Sequence, residues 1–289
     1  MKLNIGMVGL DTSHVEIFTT LLHEQTYHFG SAKVTIGCPC PSPDLDLSTN
    51  RVQDYTAKLQ DNYNVSITDS VEEVAEKADA IMITAVDGRK HLDLFKRIAP
   101  YGKPVFIDKP LAMSEKDART IFTLSEQHNA PVMSSSSLRY AHSLQNQLAQ
   151  TSEQPEGVYL SGPLPFIEKM PFYYWYGIHM IEMLFTIMGV DYQQLNVQGN
   201  KSYDVITAEY EDGRFGVIRG NHNWHSNFEA ILHYKDHTVH LPVYQDEKPY
   251  YACLLEQVVA FFETGVSPVP EEEAVAIMRF IEEANGRRG

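Results

Sequence analysis

From residue 3 to residue 135, short apolar runs alternate with amphipathic stretches, the rhythm of β-α-β units around a parallel sheet. The runs predict strands over 3–9, 33–38, 64–68, 80–86, 105–109 and 131–135. Between them, helical spacing predicts helices over 14–25, 48–62, 71–77, 91–99 and 114–128. Ser70 before Glu72 and Glu73, and Ser114 before Glu115 and Asp117, read as N-caps with acidic first turns. Gly102 reads as a helix C-terminus. Beyond the polar stretch 150–157 the pattern changes to strands with hairpin signals, over 157–162, 193–198, 204–210, 216–220, 228–234 and 238–243. An apolar helix over 177–188 interrupts them, and helices over 250–264 and 271–285 follow. The predicted fold is therefore α/β: a Rossmann domain with a parallel sheet over residues 1–140, then an α+β domain with a largely antiparallel open sheet over 141–289.

Composition narrows the function. The 289 residues carry a formal charge of −15, which opposes binding to nucleic-acid backbones and anionic membranes. No stretch is apolar for long enough to span a membrane, and the N-terminal run meets Asp11 too early for a signal segment. Cys38 and Cys40 are separated by a proline, a spacing that predicts no disulfide; with Cys253 they form no zinc pattern, so no metal is expected. A reducing cytoplasm is the expected compartment.

Candidate chemistry gathers where the predicted strands end. A dinucleotide fingerprint would read G-x-G-x-x-G from Gly9, but the chain has Gly9-Leu10-Asp11-Thr12-Ser13-His14. Asp11 would set a carboxylate against phosphate charge, while Thr12 and Ser13 could hydrogen-bond an anion at the helix start. These residues could equally be a plain helix cap, and the sequence leaves the two readings level. The second strand ends in Cys38-Pro39-Cys40-Pro41-Ser42-Pro43, with no carboxylate for an adenosine ribose before Asp44, so NAD and NADP stay undecided. Asp108-Lys109-Pro110 ends the fifth strand at the edge where open α/β sheets bind ligands; Lys109 is there either an acid/base group or a surface lysine beside a turn. His179 and Glu182 share a face of the 177–188 helix, and Phe172 to Tyr176 is an aromatic cluster that could stack on a sugar ring or fill a core.

Together these pieces resemble the Gfo/Idh/MocA family of sugar and cyclitol oxidoreductases. The resemblance is carried by Gly6 and Gly9, His91, the stretch from Gly102 to Ala112 around Asp108-Lys109-Pro110, Arg139-Tyr140, Gly177-Ile178-His179 with Glu182 and Gly189, and the segments 256–265 and 270–274. It implies NAD(P)-dependent hydride transfer to or from a sugar, cyclitol or related polyol, with Lys109 and His179 catalytic. NAD or NADP would lie against Gly9, Leu10, Asp11, Thr12, Ser13, His14, Val86, His91, Asp108 and Lys109. Substrate would meet Arg139, Tyr140, Trp175, Tyr176, His179 and Glu182. The family also implies a homodimer or homotetramer formed through the second sheet. Asp108 stands where the family usually has glutamate, and Trp175 where it usually has the aspartate preceding the histidine. Asp11, the proline-stiffened loop after the second strand and Trp175 motivate an alternative, a ligand-binding or regulatory protein without turnover; a further alternative that the sequence does not separate from a dehydrogenase is an NAD-dependent lyase or hydrolase that reverses its own oxidation in each cycle.

Overall fold

The computed structural model describes residues 3–288 except Gln25 and His28, so the predicted end of the first helix at Gln25 lies outside the described residues. Two compact units make up the chain: Met1–Ser135 with Leu255–Glu271, and Ser136–Leu254 with Glu272–Gly289.

The first unit runs β1 (Asn4–Val8), α1 (Ser13–Glu24), β2 (Lys33–Cys38), α2 (Asp46–Thr49), α3 (Val52–Tyr63), β3 (Ser66–Ile67), α4 (Val71–Lys77), β4 (Ala80–Ile83), α5 (His91–Ile98), β5 (Val105–Asp108), α6 (Glu115–His128) and β6 (Val132–Ser135). The six strands are all parallel, in the order β3-β2-β1-β4-β5-β6. This is the doubly wound arrangement, whose strand order reverses between β1 and β4 and opens a crevice at their carboxyl ends. Ala80–Ile83 and Val105–Asp108 are buried throughout, as continuous apolar strands covered on both faces should be. The predicted caps form: the Ser70 and Ser114 hydroxyls accept from the amides of Glu73 and Asp117, and Gly102 takes a left-handed conformation. The predicted helix over 48–62 is instead two helices, because the chain breaks at Asn50 and Arg51.

The second unit holds α7 (His142–Gln150), β7 (Gly157–Pro163), α8 (Gly177–Met188), β8 (Tyr192–Gly199), β9 (Tyr203–Tyr210), β10 (Phe215–Asn221), β11 (Glu229–His233) and β12 (Thr238–Leu241). Helices α9 (Tyr250–Thr264) and α10 (Glu271–Arg287) follow. The sheet order is β12-β11-β7-β10-β9-β8, antiparallel except for the β7–β10 pair. Helix α8 is buried along almost its whole length and packs on β7 and β10. It comes so close that a Cβ at Gly216 would lie 2.5 Å from Leu184 Cδ1. The ring of Phe280, on α10, meets Phe185 and Tyr192 at 5.5 and 4.9 Å. Along β7 and β9 buried residues alternate with half-exposed ones, leaving the other sheet face open. A hollow of about 420 Å³ on that face is lined by Tyr159, Phe215, Val217 and His233, among others.

Candidate active site

In the first unit, β1 runs into a tight turn at Gly9, whose φ of +90° favours glycine. A Cβ there would lie 2.3 Å from the Ala85 amide nitrogen, so glycine also permits the close approach of the segment after β4. The Thr84 hydroxyl donates to the Gly9 carbonyl at 2.7 Å and fixes the turn. The chain then enters α1 at Ser13, which is exposed, with Thr12 just before it. First-turn amides of a helix have no partner within it and face an anion readily. The turn therefore fits a dinucleotide pyrophosphate at Thr12 and Ser13.

Asp11 points inward, away from the position the sequence suggested beside phosphate. Its side chain is fully buried; Oδ2 accepts from the Ser48 hydroxyl at 2.5 Å and Oδ1 from the Val86 amide at 2.8 Å. Burial pushes its carboxyl above the usual carboxylate range, and the Ser48 and Val86 hydrogen bonds oppose that rise. Ser48 also accepts from the Ser42 amide, and the Ser42 hydroxyl donates to Asp87, which Arg89 joins to Asp44. Asp11 is thus the first link of a buried chain that ties the Gly9 turn to the loops after β2 and β4. Leu10 is likewise core, fully buried.

We expect Asp11→Asn to lower stability by about 1–3 kcal/mol, because an amide presents one acceptor where two donors converge. Denaturant unfolding measures that loss. The same variant should bind NAD(H) no more tightly than the parent, and a tighter complex would show that the carboxylate does repel phosphate.

His14 replaces the third glycine of the fingerprint. Its Nδ1 lies 2.5 Å from Asp108 Oδ2, at the carboxyl end of β5. Both side chains are buried. Burial disfavours ionisation of Asp108, yet His14 and the neighbouring Lys109 outweigh it and hold the carboxyl below its usual range. Lys109 follows, its amide donating to Asp108 Oδ1 at 2.9 Å and its peptide bond to Pro110 cis. Desolvation lowers the Lys109 pKa, against the pull of the Asp108 carboxylate. An amine so shifted exchanges protons nearer neutral pH than an ordinary lysine. His91 sits behind this edge, where its ring cannot meet a cofactor. It is fully buried, with Nδ1 2.7 Å from the Pro110 carbonyl and Nε2 2.8 Å from that of Ala85. Its work is to clamp the loops after β4 and β5. Val86 is almost buried and contributes its amide to Asp11.

In the second unit, α8 carries His179 and Glu182 into an apolar surrounding, where polar groups must be paired. His179 Nδ1 lies 2.7 Å from the Ser136 hydroxyl, which also caps the short turn Ser137–Tyr140 by accepting from Leu138. The carboxylate of Glu182 accepts from the Ser136 amide at 2.7 Å and from Arg139 Nε at 2.9 Å. Arg139 reaches Glu273 as well. Arg139 and Glu182, which the sequence offered as substrate contacts, are thus committed to a buried ion-pair network.

The position four residues before His179 holds Trp175, and the structure sets Ser136 against the histidine's Nδ1. Tyr140 is half-buried on the same turn as Arg139. The Tyr176 ring meets His179, Trp175 and Trp224 edge-on at 5.5, 4.8 and 5.0 Å. Trp224 is 60% exposed, so an aromatic surface lies open beside the histidine. The segment before α8 is anchored by buried Asp204, which accepts from the Tyr173 hydroxyl at 2.9 Å and from Arg288 Nε at 2.6 Å. The sequence read the serine run 134–137 as either polar contacts or plain linker, and Ser136 is the member that meets His179 and Glu182; it missed Trp224, which lies in an irregular segment.

Among the described residues no group of three or more His, Cys, Asp or Glu is arranged to hold a metal ion, and no helix is long and apolar enough to cross a membrane.

A family model described as an oxidoreductase family with an NAD-binding Rossmann fold matches residues 3–136. No curated protein matches the chain in sequence. Solved structures match it in fold across nearly its full length. A protein of Thermotoga maritima described as a probable dehydrogenase has a TM-score of 0.82 at 15% identity, with 99% of this chain and 96% of that one covered. The apo scyllo-inositol dehydrogenase of Lactobacillus casei gives 0.82 at 12%, covering 99% and 96%. An oxidoreductase of Agrobacterium radiobacter, in complex with NAD+, L-tartaric acid and magnesium, gives 0.75 at 12%, also covering 99% and 96%. Residues 3–136 thus match the model of the Gfo/Idh/MocA oxidoreductase family, and the order of the parallel strands and the left-handed turn at Gly9 agree with its NAD-binding Rossmann fold.

Proposed function

We propose that the protein is an NAD(H)-dependent oxidoreductase acting on a carbinol group of a sugar, cyclitol or related polyol. The observation that carries this reading is the place of Lys109, directly after β5 at the carboxyl edge of the parallel sheet, with its amide on the Asp108 carboxylate. A bound nicotinamide supplies the hydride acceptor or donor. Thr12 and Ser13 bind the pyrophosphate through first-turn amides, and Gly9 gives the turn its shape. Lys109 handles the proton of the reacting hydroxyl: as the neutral amine it accepts that proton, and as the ammonium it returns it. His179, held through Nδ1 by Ser136, presents Nε2 as a second proton-handling group. Tyr176 and Trp224 offer faces on which a sugar or cyclitol ring can stack. The open sheet face around Tyr159 and Val217 is where we expect a second copy of the chain to pair, as the family resemblance implies.

The silent, ligand-binding alternative drew on Asp11, the proline-stiffened loop and Trp175, and the inward turn of Asp11 takes away the first of these supports. Titration calorimetry with the four nicotinamide dinucleotides, followed by a sugar and cyclitol screen read at the reduced nicotinamide band, tests the proposal. The expected result is micromolar NAD(H) binding and reduction of NAD+ by at least one polyol. No binding of any of the four forms would remove the dehydrogenase reading. Binding with no net redox change, but loss of a leaving group from a glycoside, would favour the lyase or hydrolase instead.

A further inference from the structure

The end of β2 departs from what its sequence suggests. Cys38 and Cys40 bracket a proline, and side chains two apart in an extended strand stand too far apart to bond. Here Cys40 has φ of +46°, a left-handed conformation rare for a side-chain-bearing residue, and the turn brings the two sulfurs to 3.1 Å. That is about 1 Å beyond a disulfide bond length. The surrounding backbone holds the turn from both sides. The Cys38 and Pro39 carbonyls accept from the Gly9 and Leu10 amides at 2.9 Å, and Lys90 Nζ donates to the Cys40 and Pro41 carbonyls at 2.9 Å. The strained conformation is thus fixed in place by partners outside the loop.

The two thiols are unequal. Cys38 is buried, whereas Cys40 keeps partial exposure. The Cys38 thiol, donating to its neighbour and buried, is pushed far above the usual thiol range. The Cys40 thiol is pulled below it, chiefly by the S–H of Cys38, with burial opposing and Lys90 and Arg97 adding positive charge.

We propose that Cys38 and Cys40 are a peroxide-responsive dithiol that closes reversibly to an intramolecular disulfide, Cys40 being attacked first and Cys38 resolving. The Cys40 thiolate attacks one oxygen of hydrogen peroxide, breaking the O–O bond and giving Cys40 sulfenic acid and hydroxide. The Cys38 sulfur then displaces that hydroxyl from Cys40, and its thiol proton leaves with it as water. Altogether two thiols and one peroxide give one disulfide and two waters, sulfur being oxidised and peroxide oxygen reduced. A small-molecule dithiol reverses the step by exchange. The dithiol chemistry uses neither Lys109 nor His179, although the Cys38 and Pro39 carbonyls also hold the Gly9 turn.

The test uses the full-length protein, treated with hydrogen peroxide, denatured into N-ethylmaleimide and digested with trypsin. The peptide 34–51 contains both cysteines. The expected product is that peptide lighter by two hydrogens and unlabelled, regaining two labels after dithiothreitol. With Cys38→Ser, Cys40 should be trapped by dimedone as the sulfenic acid. With Cys40→Ser, Cys38 should react with peroxide at least about 10-fold more slowly than Cys40 does in the parent. Thermal unfolding of both variants confirms that they fold. Two labels on the peroxide-treated parent, a sulfinate at Cys40 in place of the disulfide, or equal reactivity of Cys38 and Cys40 in the two variants would each overturn the proposal.

Discussion

Replacing Lys109 by methionine is expected to cut turnover at least about 10²-fold while leaving NAD(H) affinity little changed. Methionine keeps the length of the side chain and removes only the ionisable end. Because desolvation lowers the Lys109 pKa, the neutral amine appears at a pH below the ordinary lysine value of about 10.4. In the oxidising direction the rate should therefore rise with pH along a limb that titrates below that value. The limb should vanish in Lys109→Met. A variant that keeps the parental rate, or the parental limb, would take Lys109 out of the proton transfer. Ser136→Ala should act differently: His179 and Glu182 remain, so it should shift the pH profile more than it alters NAD(H) binding.

The second large effect is on stability. Arg139→Met should cost about 3–5 kcal/mol in denaturant unfolding, since Arg139 is 7% exposed and its guanidinium is shared by Glu182 and Glu273. Removing it leaves the Glu182 carboxylate, 3% exposed, without its cation. Adding Glu182→Gln to Arg139→Met should recover part of the loss, because the buried charge then goes too. If Arg139→Met unfolded like the parent but weakened substrate binding, the arginine would be a substrate contact, as its sequence position first suggested.

Much of this architecture is legible in the sequence because it rests on local period and punctuation. The predicted strands over 33–38 and the helix over 71–77 coincide with β2 and α4, since their apolar spacing and caps are local. Helix α7 escaped because its only buried residue is Leu144, so it has no apolar stripe to read. The predicted run 64–68 shrinks to two strand residues at the sheet edge, where pairing exists on one side only.

For the candidate site, the sequence gives the positions of its residues more than their contacts. Lys109 and His179 fall where strand-end and helix-start arguments put them. The direction Asp11 takes depends on partners 37 and 75 residues away, and the His14–Asp108 pair spans 94. Such pairings are decided by tertiary packing, which no window of sequence contains. Cys38 and Cys40 are free, as their spacing predicts, but the left-handed Cys40 that brings their sulfurs to 3.1 Å has no signal in the sequence.

The first unit is discontinuous: Leu255–Glu271 belongs with Met1–Ser135, and the whole second sheet is inserted between them. That segment brings buried Leu255, Val258, Phe261 and Phe262. A ribosome delivers those side chains only after the second sheet has been made. The unit that holds the parallel sheet is therefore completed only after the insert has been made, by a late, long-range closure rather than an early local one.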